Sequence, residues 1–116
     1  MSMAFYHKTL AAGRWYELSL KEQLGNIGGE VSRAARWQNK DKKLFQDAVE
    51  KALELLDLTL DDSRWKGRRW EIARAREVFL DAVLGGKEYK SSLADLVRYF
   101  DQFAYAARLH IETVQG

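Results

Sequence analysis

The sequence contains neither cysteine nor proline. Without cysteine there is no disulfide, no thiolate metal site and no cysteine nucleophile. Without proline, no helix has to be broken from within. Long apolar runs are missing too, because no stretch approaches the roughly 20 residues of a membrane-spanning helix. Residues 1–15 also lack the continuous apolar segment of a secretory signal, so we predict a cytoplasmic protein that does not bind membranes.

The composition is that of a folded globular chain. Its 116 residues suit one domain, and 47% hydrophobic with 31% charged residues is ordinary globular usage. No stretch alternates with a period of two, and no Asn-Gly or Asp-Gly hairpin signal is present. We therefore predict an all-α fold, an antiparallel up-down-up-down four-helix bundle. Residues 1–18 would be an N-terminal arm or helix extension, and residues 19–116 the bundle.

Four amphipathic segments predict the four helices. Ser19 and Glu22 have the spacing of a capping box, which satisfies free amides at a helix start. Gly85 and Gly86 are a strong stop signal, since glycine accepts the left-handed conformation that ends helices. The predicted helices run from Ser19 to about Trp37, from about Asp41 to Leu60, from about Arg68 to Leu84, and onward from Ser91 or Ser92.

Three glycines interrupt the apolar stripe of the first predicted helix. Gly25, Gly28 and Gly29 each cost about 1 kcal/mol relative to alanine inside a helix. Either a neighbouring helix packs closely there or the helix kinks. A phosphate-binding loop is disfavoured, because no strand precedes the glycines and no Gly-Lys-Ser/Thr follows them.

Sequence motifs for catalysis or metal binding are missing. His7 and His110 are the two histidines, and neither belongs to a Glu-x-x-His or His-Glu-x-x-His motif. We predict that His110 is a partly buried structural residue. The acidic ridge of the second helix is predicted to be solvated or salt-bridged, and it comprises Glu50, Glu54, Asp57 and Asp61. We therefore expect a protein that is not an enzyme and needs no metal or cofactor.

Charge is concentrated in blocks although the net charge is only +2. Residues 44–63 carry −5 and residues 64–76 carry +5. Arginine, lysine and tryptophan together favour nucleic acid, because cations neutralise phosphates and flat side chains stack on bases. The predicted RNA- or DNA-binding residues are Arg64, Trp65, Lys66, Arg68, Arg69, Trp70 and Arg76, with a second cluster at Arg36, Lys40, Lys42 and Lys43.

The same basic block has a structural interpretation. Arg69 and Arg76 flank the core stripe of the third helix and could pair with the acidic ridge of the second. Tryptophans at helix ends often only cover a core. The alternative function is therefore a pure protein-interaction or structural module whose basic blocks form salt bridges between subunits. Both interpretations stay open at this point.

Apolar residues outside the core stripes predict self-association. Tyr105 and Leu109 lie one turn apart on the face of the fourth helix opposite its core stripe. The apolar arc of the second helix covers about half its circumference, more than one core face needs. A homo-oligomer is therefore expected, with an interface that includes Leu55, Leu58, Tyr105 and Leu109.

The front half of the chain resembles a known family. A basic stretch from Arg33 to Lys43 is followed by Lys43-Leu-Phe45, then by alanines and valine at 48, 49 and 52, and a leucine-rich run to Leu60. This resembles the four-helix-bundle proteins encoded in intervening sequences of bacterial large-subunit ribosomal RNA genes. These share an architecture with the accessory variability determinant of diversity-generating retroelements. The resemblance covers Leu24 to Leu60, about a third of the chain.

The resemblance implies a closed antiparallel bundle that forms a ring-like homo-oligomer. The retroelement relatives bind a reverse transcriptase and nucleic acid through basic surfaces, and they have no catalytic residues. The corresponding expectation for this chain is an accessory or adaptor protein that binds RNA or DNA beside a polymerase-type partner.

Overall fold

The computed structural model describes residues 14–115, with side chains as far as Leu109. The described residues form four α-helices and two 3₁₀ helices and contain no β-strand, which confirms the all-α prediction. The four α-helices begin, and the first three end, within a residue or two of their predicted bounds. The α-helices are α1 (Leu20–Trp37), α2 (Lys42–Asp61), α3 (Arg69–Val83) and α4 (Leu93–Gln115), and the 3₁₀ helices are Trp15–Glu17 and Ser63–Arg68.

Side-chain caps define three of the helix starts. The backbone amide of Glu22 donates to Ser19 Oγ at 3.1 Å, and the amide of Ser19 donates to Glu22 Oε1 at 2.8 Å, which confirms the capping box. Ser92 and Asp95 make the same reciprocal pair at the start of α4, at 3.2 and 2.9 Å. Asp41 accepts a bond from the amide three residues later at 3.0 Å. These bonds satisfy amides that have no partner inside a helix.

Two consecutive glycines end α3, as predicted. Gly85 has φ of 117° and Gly86 has φ of 73°, values that side-chain-bearing residues rarely adopt. The Gly86 amide donates to the carbonyl oxygen of Asp81 at 2.8 Å and so satisfies a free carbonyl at the helix end. The chain leaves the helix at this point.

The core is a single apolar cluster to which all four α-helices contribute. Trp15 belongs to it with 2% of its surface exposed, so the packed unit begins before residue 19. The described end of the predicted arm therefore packs on the bundle, and the division at residue 18 stays a prediction. Residues 1–13 of the predicted arm, and the side chain of His110, lie outside the described residues. The least exposed large side chains are Phe79, Phe100, Ile27, Leu56, Gln23, Val31 and Thr59.

Helices α1 and α4 approach closely at two of the three glycines. A Cβ on Gly28 would lie 2.6 Å from Phe100 Cβ, and one on Gly25 would lie 3.0 Å from Ala104 Cα. Gly29 is exposed and would have no such neighbour within 4 Å. Close packing therefore explains Gly25 and Gly28. Helix α1 also packs along α2, whereas α3 and α4 touch each other less extensively and leave a groove between them.

Two side chains of α2 differ from their predicted environments. Glu54 is 5% exposed, so the solvated alternative predicted for the acidic ridge is wrong at this residue, and the salt-bridged alternative stays a prediction. Leu44 belongs to the apolar arc of α2 by its spacing but is 39% exposed, and it lies in the first turn of the helix. Glu50, Asp57 and Asp61 are exposed as predicted.

Candidate functional site

Arg64, predicted to contact phosphate, binds inside its own chain. Its Nη2 lies 2.7 Å from Asp62 Oδ2 and its Nε 3.0 Å from Asp62 Oδ1, which is a bidentate pair. Nη2 also donates to the carbonyl oxygen of Leu18 at 2.8 Å. The guanidinium carbon stands 4.4 Å from the centre of the Trp65 ring. A bidentate pair of this kind fixes the geometry of both side chains.

Gln23 connects this ion pair to the core. Its side chain is fully buried, and its Nε2 donates to the Trp15 carbonyl oxygen at 2.7 Å and to Asp62 Oδ2 at 3.1 Å. Its Oε1 accepts a bond from the Trp65 indole at 2.9 Å. The Trp15 indole donates in turn to Thr59 Oγ1 at 3.3 Å. These residues are the Gln23 network, which comprises Trp15, Gln23, Thr59, Asp62, Arg64 and Trp65.

Asp62 makes the stability of the Gln23 network depend on pH. Its hydrogen bonds from Arg64, together with one from Gln23, hold the pKa of the Asp62 carboxyl below its ordinary value despite the opposing effect of burial. Because the folded-state pKa is the lower one, the ionised carboxylate stabilises the fold above the unfolded pKa of about 4. That contribution is lost as the pH falls through the folded-state pKa.

We expect Asp62→Asn to be less stable than the wild type near neutral pH, with a difference that shrinks as the pH falls below about 4. Urea unfolding of both proteins between about pH 7 and pH 2.5 measures this. A stability difference that stays constant across this range would contradict the assigned role of the Asp62 carboxylate.

Three more arginines of the block also bind within the chain. Arg76 Nε lies 2.8 Å from Asp57 Oδ1, which confirms the predicted pairing with the acidic ridge. Arg69 was predicted to pair with the same ridge but donates instead to the carbonyl oxygen of Leu60 at 3.0 Å, near the end of α2. Arg68 pairs with Glu71 at 2.8 Å. The block therefore connects α3 to the rest of the chain.

Some of the predicted nucleic-acid-binding residues at 64–76 are bonded within the chain, whereas others are exposed and have no such bond. Trp65 is half-buried, donates its indole N–H to Gln23 and has the Arg64 guanidinium over its ring, so it offers a base less surface than Trp70 does. Lys66 is exposed, and Trp70 is exposed over 77% of its surface. Of the predicted residues at 64–76, these two make no side-chain hydrogen bond or ion pair with another described residue, whereas each predicted arginine makes one.

A second basic surface lies about 30 Å away, because the 20-residue α2 separates the block from the turn that precedes this helix. Gln38 borders two shallow clefts there, one of which includes Lys40 and Lys42 and the other Lys90. All the cations of this surface are exposed, and none forms an ion pair with another described residue. We call this surface the basic end, and it comprises Arg36, Lys40, Lys42, Lys43, Lys87 and Lys90.

Helix stability does not account for the lysines of the basic end. Lys42 and Lys43 occupy the first turn of α2, where the helix dipole favours acidic side chains rather than cations. Lys90 has φ of 61°, a left-handed conformation that costs a residue with a Cβ about 1–2 kcal/mol. Unfavourable positions of this kind are concentrated at functional sites. The basic end is therefore the stronger candidate for binding an anionic partner.

The four predicted interface residues have different environments. Tyr105 is 58% and Leu109 43% exposed, as their positions on α4 predicted. Leu58 is partly buried against the core. Leu55 is 4% exposed and lies within the chain's own core, so its predicted place at a subunit interface is wrong. Helix α2 packs against both α1 and α3, which accounts for its wide apolar arc without a second subunit.

Sequence reasoning missed two side chains near Trp70. The guanidinium carbon of Arg74 lies 5.8 Å from the centre of the Trp70 ring and 4.8 Å from that of Tyr89. Arg74 stands one helical turn after Trp70, a spacing that could have indicated their contact. Tyr89 comes from the connection after α3, and no sequence pattern places it there.

No family model, curated protein or solved structure matches this chain. No helix in the described part of the chain has both the length and the apolar character to span a membrane. The same part of the chain holds no group of three or more metal-ligating side chains.

Proposed function

We propose that this protein is a non-enzymatic accessory protein that binds RNA or DNA through the basic end. One observation carries the proposal: six exposed cations from two connections and the adjoining helix ends lie at one end of the fold. None is ion-paired to a described residue, whereas the predicted arginines of residues 64–76 are bonded internally. A polyanion with regularly spaced phosphates is the partner that such a surface neutralises best.

The contacts between helices support an antiparallel up-down-up-down arrangement. Gly25 lies against Ala104 and Gly28 against Phe100, so the residue numbers fall along α4 as they rise along α1. Arg69 binds at Leu60 and Arg76 at Asp57, and the same opposite order holds for α2 and α3. In this arrangement the connections before α2 and before α4 share one end, which brings Lys40 and Lys90 to the same surface.

A charge-matched pair of variants tests the binding surface. We expect Lys42→Gln/Lys43→Gln to weaken binding of a single-stranded oligonucleotide on the order of 10-fold in low salt, because two phosphate contacts are lost. The control is Lys21→Gln/Arg108→Gln, which removes the same charge from two exposed positions. Fluorescence anisotropy measures affinity, and circular dichroism verifies the fold. Equal effects of the two variants would contradict a localised surface.

Self-association is the second part of the proposal. The Tyr105 ring and the Leu109 side chain are both exposed and lie one turn apart on α4, so they form one small apolar patch. We expect light scattering to give a multiple of the protomer mass for the wild type and the protomer mass for Tyr105→Glu, which introduces a charge into the contact. A wild type that is monomeric at every concentration would contradict self-association.

The resemblance of residues 24–60 to the retroelement and ribosomal intervening-sequence proteins adds a proposed partner. A polymerase-type protein, such as a reverse transcriptase, would bind beside the nucleic acid. The all-helical fold and the likeness of the basic stretch from Arg33 to Lys43 support this. A cytoplasmic location stays a prediction.

One argument for the alternative function, a pure protein-interaction module, is weakened by the ion pairs of the basic block. Its basic blocks were expected to form salt bridges between subunits, but Arg64, Arg68 and Arg76 pair with carboxylates of their own chain. The same arginines therefore have less to contribute at a subunit interface. The exposed cations of the basic end are free to bind an anionic partner, which this alternative does not name.

A further inference from the structure

Trp70, Arg74 and Tyr89 form an exposed row of flat side chains. Trp70 is 77% exposed and Tyr89 37%, and the guanidinium of Arg74 lies between the two rings at 5.8 and 4.8 Å from their centres. The Tyr89 hydroxyl donates to Glu77 Oε1 at 3.2 Å, which fixes the orientation of the ring against α3. An exposed tryptophan of this kind contributes little to the core of its own chain.

The row borders an apolar groove between α3 and α4. The groove has a volume of about 260 Å³, slightly below the range of about 300–1,000 Å³ typical of sites for drug-sized molecules. This volume suits one flat ring. We call it the stacking groove, and its lining includes Trp70, Arg74, Val78, Leu96 and Tyr99.

The acidic side chains at the stacking groove already have partners. Glu71 Oε1 pairs with Arg68, and Glu71 Oε2 accepts the Tyr99 hydroxyl at 3.4 Å. Asp95 pairs with Arg98, and its Oδ2 accepts the Ser92 backbone amide at 2.9 Å. Repulsion of a phosphate by these carboxylates is therefore reduced, while Arg74 supplies a cation within 6 Å of both ring centres.

The stacking groove is continuous with the basic end. Tyr89 is adjacent in sequence to Lys90, and Ser91 lines both the groove and the cleft that Lys90 shares with Gln38. A strand whose phosphates lie on Lys90 and Lys87 can therefore extend along α3 toward Trp70. Single-stranded nucleic acid is recognised by this combination of a cationic track and flat side chains on which bases stack.

We propose that the stacking groove binds an unpaired nucleobase of a single strand, stacked on Trp70 and held beside the Arg74 guanidinium. This deepens the proposed function and rests on it. The protein would therefore bind single-stranded in preference to duplex nucleic acid, because bases in a duplex are already stacked. The flat face of any base suffices for stacking, so sequence preference is expected to be weak.

An abasic strand separates base stacking from phosphate binding. The probes are a single-stranded DNA of about 12 nucleotides and an abasic strand of equal length and charge. We expect the wild-type full chain to bind the base-bearing strand about 10-fold more tightly, as base stacking on an aromatic side chain typically gives. Trp70→Ala is expected to remove this preference and Trp70→Phe to keep part of it. Leu84→Ala is the control, since Leu84 is also 77% exposed and follows α3 at its other end.

The outcomes separate the two proposals. Equal wild-type affinity for both strands, or a preference that survives in Trp70→Ala, overturns the stacking groove and leaves the phosphate-binding function standing. Binding of neither strand overturns both. If Trp70→Ala changes the oligomeric mass but not the preference between strands, the groove is a protein interface and the proposal is wrong.

Discussion

Gln23→Ala is expected to lower the free energy of unfolding by about 3 kcal/mol. Gln23 is fully buried, and its amide group makes three hydrogen bonds, with Trp15, Asp62 and Trp65. Its removal leaves the Trp65 indole N–H without its partner and takes one donor from the Asp62 carboxylate. The Trp15 carbonyl oxygen loses one of two donors and keeps the Leu18 amide at 3.2 Å. Each unsatisfied buried group costs about 1–3 kcal/mol, and the cavity adds to this.

Urea unfolding followed by circular dichroism measures this loss. Gln46→Ala is the matched control, because Gln46 is an exposed glutamine within α2 and its replacement should change stability by less than about 0.5 kcal/mol. Equal stabilities of the two variants would show that the Gln23 network does not stabilise the fold. Loss of the Trp65 indole bond should also change tryptophan fluorescence in the folded Gln23→Ala protein.

Gly28→Ala is expected to destabilise the protein by about 2 kcal/mol, although alanine is the better helix former by about 1 kcal/mol. The new Cβ would lie 2.6 Å from Phe100 Cβ. The Phe100 atom is bonded directly to the backbone of α4, so relief requires the two helices to move apart. Overpacking of this kind costs about 1–3 kcal/mol, and here it falls at the upper end of that range.

Gly29→Ala is the matched control for this close contact. No side chain or neighbouring helix lies within 4 Å of the position of its Cβ, so only helix propensity changes. We expect this variant to be more stable than the wild type by about 0.5–1 kcal/mol. Thermal unfolding of the two single variants compares them directly. If Gly28→Ala is also stabilised, the described approach of α1 and α4 is wrong.

The helices could be predicted because their signals are local. Ser19 and Glu22 form their capping box within one turn, and Gly85 and Gly86 end α3 by their own backbone conformation. Apolar periodicity likewise predicted four amphipathic helices, and all four contribute to the core. It did not identify Glu54, which is buried even though it lies among charged residues of α2, because burial depends on the neighbouring helix rather than on spacing alone.

The candidate site was less predictable, because whether a basic residue is free to bind a ligand depends on which acidic residues the fold places beside it. Arg64 and Lys66 are both basic residues near Trp65, yet Arg64 binds Asp62 whereas Lys66 is exposed. Only the tertiary arrangement distinguishes them. The basic end combines two connections that are more than forty residues apart, and no sequence pattern links Lys40 to Lys90. Proximity of that kind follows from the packing of helices.

The salt dependence of oligonucleotide binding by the wild type tests the central claim most directly. Fluorescence anisotropy would follow a single strand of about 12 nucleotides across a salt titration. If the basic end neutralises phosphates, the logarithm of the binding constant falls linearly with the logarithm of salt concentration, with a slope between about −2 and −4. A folded protein that does not bind at low salt, or that binds with no salt dependence, would contradict the account.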